Sequence, residues 1–363
     1  MILRRAFLGL ALGCAFLLGA CSTGAYFWQA TAGHLSVLAA AENIDEVLSR
    51  PDVPEKLRTQ LQYVQEIRGF SVDNLGLPDN RSYRTYADLN RAYAVWNVVA
   101  SQPDSLTLET WCFPLIGCIS YKGFYSESDA VELAGVLREQ GLDVAVLGVP
   151  AYSTLGFTPD PVLNTFVNYP AGELARLVFH ELAHQVVYIA NDTMFNESFA
   201  TAVEELGVNA WLAQPGRETL KLQYDTFDSR RNAFRQMLAQ TRNDLEQIYR
   251  NSEGKDKQQV LILKQKRFDQ LHADYAQLKA SWGGWSGYDR FMAEDLNNAK
   301  LGVSGLYTQY VPAFKALHIL CGQSFGRFYE ATGALGDLPL EQREKLLDEL
   351  ERGLPLSYGF QCS

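Results

Sequence analysis

Histidine is scarce in this 363-residue chain, with only five residues, and methionine is scarcer still, with four. Cations are outnumbered too: 32 lysines and arginines stand against 42 aspartates and glutamates, and they gather into no basic patch. A phosphate backbone needs such a patch, so nucleic acid is excluded as a partner class. The apolar run at the amino terminus, Ala6 to Leu18, falls short of the roughly 20 residues that cross a bilayer, which argues against an uncleaved membrane helix. Of the six cysteines, Cys112 and Cys118 lack the tight spacing of a zinc knuckle, which counts against a thiolate metal site.

What is there begins with Arg4-Arg5, the apolar run and then Leu18-Gly19-Ala20-Cys21, the plan of a secretory signal peptide. Loss of residues 1–20 removes two arginines and no acid, taking the formal charge from −10 to −12. Most of these acids are expected to be solvated surface, and acidity by itself selects no substrate. With Cys14 removed and Cys21 at the new terminus, Cys112, Cys118, Cys321 and Cys362 remain. Four cysteines in an oxidising compartment allow three pairings. Sequence proximity favours Cys112 with Cys118, and Cys321 with Cys362 would tie down the tail.

The most informative stretch is His180-Glu181-Leu182-Ala183-His184, an H-E-x-x-H run. Leu174, Leu177, Val178, Leu182 and Ala183 recur at helical spacing after a start at Pro170, and the pattern continues through Val186, Val187 and Ile189. On a helix, residues i and i+4 lie about 6 Å apart along the axis on one face, so His180 and His184 can address one metal ion. In sites of this kind the glutamate takes the proton from a zinc-bound water, which makes Glu181 the expected general base. The bland alternative is a buried helix whose histidines only make hydrogen bonds.

One zinc ion held this way needs a third protein ligand and an open fourth position. Glu197, early in a second amphipathic helix after the turn-like Asn191-Asp192-Thr193, is the choice; Glu204 and Glu205 are weaker candidates. His272 and His318 are each isolated and read as ordinary helix histidines. A tyrosine donor to the oxyanion is expected from Tyr307 or Tyr310, with Tyr310 taken as the catalytic candidate, although tyrosines are commonly packing residues. An acid that binds a substrate amine is open among Glu173, Glu204 and Glu205.

His180-Glu181-Leu182-Ala183-His184-Gln185 followed by Asn196-Glu197-Ser198-Phe199-Ala200 resembles the HELAHQ and NEGFA elements of gluzincin aminopeptidases, with a shorter spacer between the two. A more extended resemblance is to a family of proteobacterial lipoproteins described as putative aminopeptidases. It runs through Leu75 to Tyr83, Ala151 to Gly156, the zinc motif and Leu296 to Leu301. The resemblance implies an exopeptidase-like metalloenzyme. Leu18 to Cys21 likewise is similar to a bacterial lipobox. That likeness implies acylation of Cys21 and, with Ser22 following, an outer-membrane location facing the periplasm.

The expected fold is α+β: a small mixed sheet and an H-E-x-x-H helical zinc-peptidase core, a long antiparallel coiled-coil hairpin and a C-terminal helical lobe. Residues 1–20 are signal, 21–216 carry the N-terminal helices, sheet and zinc-site helices, 217–282 the hairpin and 283–363 the lobe. Helix is expected over 36–68 with interruptions at Pro51 and Pro54, strands within 91–100, 107–119 and 142–149, and a helix over 128–140. Val149 to Gly156 reads either as a sheet edge that receives an extended peptide or as a strand end and turn. Leu220, Tyr224, Phe227, Arg231, Phe234, Leu238, Thr241, Leu245 and Ile248 form a heptad seam, and Leu261, Lys264, Phe268, Leu271, Tyr275, Leu278 and Trp282 a second. The two predict an arm of roughly 40 to 50 Å at 1.5 Å per residue, whose exposed charges argue for projection and a partner-docking or access-restricting role; the alternative is a hairpin lying flat on the core.

Functionally, these features predict a zinc-dependent aminopeptidase. An endopeptidase of envelope proteins and a lipid-anchored scaffold in which zinc is structural are the alternatives, and Glu181 counts against the last because a structural site needs no base.

Overall fold

The computed structural model describes residues 24, 26–113, 117–252, 256–293 and 296–362. Cys21 and the signal segment lie outside the described residues. Among the described residues the fold is mixed α+β, dominated by helix, with three small sheets.

Residues 26–39 form helix α1, followed by strand β1 (Ala41–Asn43), α2 (Ile44–Ser49) and α3 (Glu55–Asp73). The expected break falls at Pro51 and Pro54, and Pro54 caps α3. Strand β1 was not anticipated. It pairs antiparallel with β2 (Thr85–Ala87), which pairs parallel with β8 (Val162–Leu163).

The expected β-rich region yields a three-stranded antiparallel sheet in the order β6-β3-β7, from β3 (Val95–Ser101), β6 (Lys122–Phe124) and β7 (Asp143–Val149). The mixed pairing lies instead in the β1-β2-β8 sheet. Residues 107–119 contribute the hairpin of β4 (Trp111–Phe113) and β5 (Gly117–Ile119), closed by the Cys112–Cys118 disulfide. Helix α4 (Glu127–Glu139) covers one face of the β6-β3-β7 sheet with Ala130 and Ala134, capped by Ser126.

Residues 150–156 are loop, not strand. Leu155 and Gly156 both have positive φ (55° and 81°), and Thr154 N donates to the Asp160 carboxylate at 3.2 Å, closing the segment on itself. An extended edge is incompatible with that reversal, so the turn reading holds.

Helix α5 (Ala171–Ala183) packs against α6 (Thr193–Leu212), and both bury their inner faces in the main core with α3 and the C-terminal helices. Gly207 allows the close approach: a Cβ there would stand 2.7 Å from Leu75 and 2.9 Å from Phe179. α5 stops earlier than its apolar pattern suggests, with His184 as C-cap. The cause is a competing partner. The Asn196 amide accepts from Ile189 N and donates to Ile189 O, both at 2.8 Å, holding the reversal that a longer helix would destroy.

Helices α7 (Glu218–Arg250) and α8 (Lys257–Ser281) are antiparallel: Phe234 meets Tyr275, and Arg267 reaches back to Asp244 and Thr241. The central part of each predicted seam is the contact, whereas Tyr224 belongs to the main core, Lys264 turns to the sheet and Leu261 is exposed. Phe234, Leu238, Leu245, Phe268, Leu271 and Tyr275 are buried together. The pair does not project. Lys264 bonds Asp143 and the Pro103 carbonyl, and Tyr249 OH donates to Asn298 at 2.8 Å, so the hairpin lies along the antiparallel sheet and α10 (Asn298–Leu306). Its exposed charges mark only the outer face.

α10 is fixed by two asparagines. Asn297 caps it and donates to Val144 O, while Asn298 N donates to Asp143 and its amide to Pro103 O. The C-terminal lobe holds α9 (Asp289–Ala293), α10, α11 (Val311–Leu320), α12 (Phe325–Gly336) and α13 (Leu340–Arg352). Cys321 is bonded to Cys362, which ties the tail to the end of α11.

Candidate metal centre

One helical turn separates His180 from His184, and their Nε2 atoms face each other at 3.3 Å. Glu197, in the second turn of α6, brings Oε2 to 3.2 Å from His180 Nε2 and 3.6 Å from His184 Nε2. All three side chains are buried, and one donor atom from each lies within 4.8 Å of the others. Among the described residues no other group of three or more His, Cys, Asp or Glu side chains converges in this way.

The donor set fits a divalent cation. Two imidazole nitrogens and a carboxylate oxygen meet where a single proton can satisfy only one contact. Two neutral imidazoles and one carboxylate are the ligand chemistry of a zinc site with an open position. The electrostatics agree. Burial alone would raise the Glu197 carboxyl, but His184 and His180 outweigh it and hold it at about 2. Burial pulls His180 down; at His184 it is overcome by the Glu197 charge, which raises that imidazole.

Behind His180 runs a chain of alternating charge. His180 Nδ1 lies 3.1 Å from Glu204 Oε2, off hydrogen-bond alignment. Glu204 pairs with Arg176, Arg176 lies 3.7 Å from Glu173, Glu173 bonds Arg231 at 2.6 Å, and Arg231 bonds Asp228. A carboxylate behind a ligating histidine fixes its ring orientation, which is the part Glu204 can play here. Glu205, paired with Arg235 and Lys315, is outside this chain.

Glu181 is next to the donors on α5 but not among them. Burial is the main reason its carboxyl rises to about 8; His184 lowers it and the Glu197 and Asp160 charges raise it. It lines a cavity of ≈ 130 Å³ together with His180, His184, Glu197, Tyr121, Tyr152, Ser153, Tyr188 and Tyr307. A second cavity of ≈ 230 Å³ shares His180, Glu181 and Tyr307 and is otherwise walled by Tyr169, Glu173, Glu204 and Arg235, among others. His180 is thus approached from two sides.

Of the two tyrosine candidates, only Tyr307 lines these cavities. It caps α10, and its ring stacks on His180 with centroids 6.0 Å apart. Ser198, the neighbour of Glu197, donates to Leu306 O and accepts from Tyr310 N, which locks that chain reversal onto α6. The Glu197 charge, then burial, raises the Tyr307 phenol well above its ordinary value. Tyr310 lies elsewhere: beyond burial, its phenol is influenced by Glu344, Asp192 and Arg343, and it lines neither cavity. The chain turns between the two residues, so only one faces the donors. His318 packs on Phe325 and Phe328, and His272 is on α8; neither lines the site.

Sequence reasoning missed Tyr121, Tyr188 and Asn97 as cavity walls. Tyr188 follows His184 by four residues and Glu204 follows Glu197 by seven, spacings that one helix face would have offered. Asn97 arrives from β3 and Tyr121 from the connection that precedes β6, and neither carries such a signal. The 151–155 loop does reach the site, and Ser153 Oγ donates to Glu181 O at 3.3 Å. Asp160 holds that loop; burial raises its carboxyl to about 6 against hydrogen bonds from Thr154 and Gln185.

The family model described as "Putative aminopeptidase" matches residues 25–347, so the chain belongs to that family. No curated protein and no solved structure matches it.

Proposed function

We propose that this member of the aminopeptidase family is a zinc-dependent peptidase in which His180, His184 and Glu197 hold one zinc ion and Glu181 is the general base. The observation that carries the reading is the convergence of three buried donors on one point, with a fourth carboxylate on the same helix left out of the set. The motif and the pairing of α5 with α6 support assignment to the gluzincin type. When bound, the zinc supplies a Lewis acid that polarises the scissile carbonyl and activates water.

The chain's own groups do the rest. Glu181, pushed up to about 8 by burial, is poised to take a proton from the attacking water and return it to the leaving amine. The cation's charge would draw that carboxyl back down, so its basic form is the one present in the loaded site. Tyr307 keeps its phenolic proton and is the donor for the developing oxyanion. For the substrate amine, Glu173 is the best placed of the three acids: it lines the second cavity and, with Oε2 bonded to Arg231, leaves Oε1 without a partner, whereas Glu204 has one oxygen on Arg176 and the other beside His180. The small volume beside the donors favours short peptide ends over folded protein chains.

The compartment is part of the proposal. The lipobox-like Leu18-Gly19-Ala20-Cys21 supports acylation of Cys21 and an outer-membrane position facing the periplasm, and two disulfides fit an oxidising environment. A mixed peptide library incubated with the mature chain carrying Cys21→Ser, with cleavage positions read by mass spectrometry, tests the function against Glu181→Gln. Release of single amino-terminal residues by the unaltered site alone is expected. Internal cuts would shift the reading to an endopeptidase, and an untouched library would leave a non-catalytic anchored protein.

A further inference from the structure

Between Arg5 and Glu42 the sequence contains no aspartate, glutamate, lysine or arginine. Within that stretch α1, residues 26–39, is a surface helix without a charged residue in a strongly acidic chain. Its inner face is committed. Val37 is in the core, Gln29 accepts from Tyr125 N at 3.1 Å, and Gly33 lies against the Tyr125 ring. Its outer face is uncharged and largely apolar: Trp28 is 75% exposed, Leu35 57% and Phe27 41%, with Ala32 and Ala39 also exposed and Thr31 and Ser36 as the exposed polar side chains among them. Water-facing helices ordinarily carry charge on that side, and a contiguous apolar patch marks a contact surface.

The geometry points to a lipid surface as the occupant of this face. We infer that α1 lies in the lipid–water interface of a membrane through Phe27, Trp28 and Leu35. Three observations select lipid over a protein partner. Trp28 follows Cys21, the anchor position, by only seven residues, so this face is delivered to the bilayer wherever that anchor inserts. An acidic body is repelled by anionic headgroups, whereas α1 brings no charged side chain of either sign to them. Trp and Phe at the start of an apolar face are also the side chains that settle at headgroup level. α1 lies on the membrane rather than across it, since among the described residues no helix is long and apolar enough to span.

The consequence reaches the metal centre. On the inner side of α1, His34 bonds Tyr152 OH through Nδ1 at 2.9 Å and Thr158 Oγ1 through Nε2 at 2.8 Å. Tyr152 is a wall of the cavity beside the donors. One wall of the site is therefore a single hydrogen bond from the membrane-bound helix, and the peptides it meets are those within reach of a lipid surface. The inference rests on the proposed anchor only for position, and its test omits the acyl group on Cys21.

The test is flotation of the mature chain carrying Cys21→Ser with vesicles of phosphatidylethanolamine and phosphatidylglycerol. The chain is expected to float with the vesicles, and Phe27→Ser, Trp28→Ser and Leu35→Ser together should lower partition by about tenfold or more while leaving the thermal unfolding midpoint in place. Ala32→Glu with Ala39→Glu, which removes no aromatic group, should lower it as well. Ile319→Ser with Leu320→Ser, at an exposed apolar site on α11, should leave it unchanged. A parent chain that stays with the free protein, a triple variant that floats equally well, or a control that loses as much would each overturn the inference. Peptidase activity and the mass of Cys21 are read separately, so failure here is distinct from failure of the proposed function.

Discussion

Tyr307 and Tyr310 differ by three positions in sequence and by everything in surroundings. The first faces Glu197 and stacks on His180; the second serves the α10–α11 turn. Tyr307→Phe should therefore lower kcat by about a hundredfold with little change in zinc content, because a single oxyanion donor is worth about 10²–10³ in rate. Tyr310→Phe should leave kcat within about twofold. Equal effects in the two variants, measured by steady-state kinetics on one peptide, would remove Tyr307 from the chemistry. Asp160 permits a prediction about pH. Its carboxyl binds a proton more tightly folded than unfolded, since burial raises it from 3.8 to about 6. Its contribution therefore favours the folded state at low pH and is lost as pH rises from 3.8 through about 6. Asp160→Asn should remove that loss. In metal-free protein, urea midpoints compared across this window should fall less with rising pH in the variant than in the parent chain, and an unchanged slope would show that Asp160 is not the group responsible.

At the scale of elements, the centre is made by two helices and the reversal between them. α5 supplies His180, Glu181 and His184, α6 supplies Glu197, and Asn196 fixes the connection by bonding both backbone groups of Ile189. Because Asn196 is next to Glu197 on α6, loosening the reversal should move the third donor. Asn196→Ala is expected to cost about 1 kcal/mol of stability, the usual worth of such bonds at part-buried backbone groups. It should also weaken zinc affinity, read by competition with a chromogenic chelator. A variant that loses stability but keeps full affinity would show that α6 is positioned by core packing alone. The helical pair α7–α8 shows the opposite balance: its seam is legible at heptad spacing, but Lys264 and Tyr249 direct it along the sheet and α10.

For the whole molecule, a donor set gathered from α5 and α6 exists only when the chain is folded, so an ion bound there stabilises the fold as a whole. Zinc at about a thousand times its Kd should add about 4 kcal/mol. Calorimetry of the chelator-treated protein is expected to show a lower Tm that one equivalent of zinc restores; an unshifted Tm with no zinc retained would dispose of the metal centre. The core that surrounds the site joins α3, α5, α6 and the C-terminal helices in one cluster, and the Cys321–Cys362 bond ties the tail to it.

The sequence by itself determined the local parts: the histidine pair, whose spacing equals a helical turn; Glu197 in the helix after the reversal; the two cysteine pairs; and the seams of α7 and α8. Each depends on the period of a helix or on nearness along the chain. Tertiary structure alone decided the rest. Nothing in the pattern ends α5 at His184, because the stop is set by a side chain on the next helix, Asn196. Nothing separates Tyr307 from Tyr310 until Ser198 holds the turn between them, and nothing brings Tyr121 in from the β5–β6 connection or links His34 to the site wall through Tyr152. Those contacts join residues far apart in sequence, and their positions depend on how faces pack, which local periodicity does not encode.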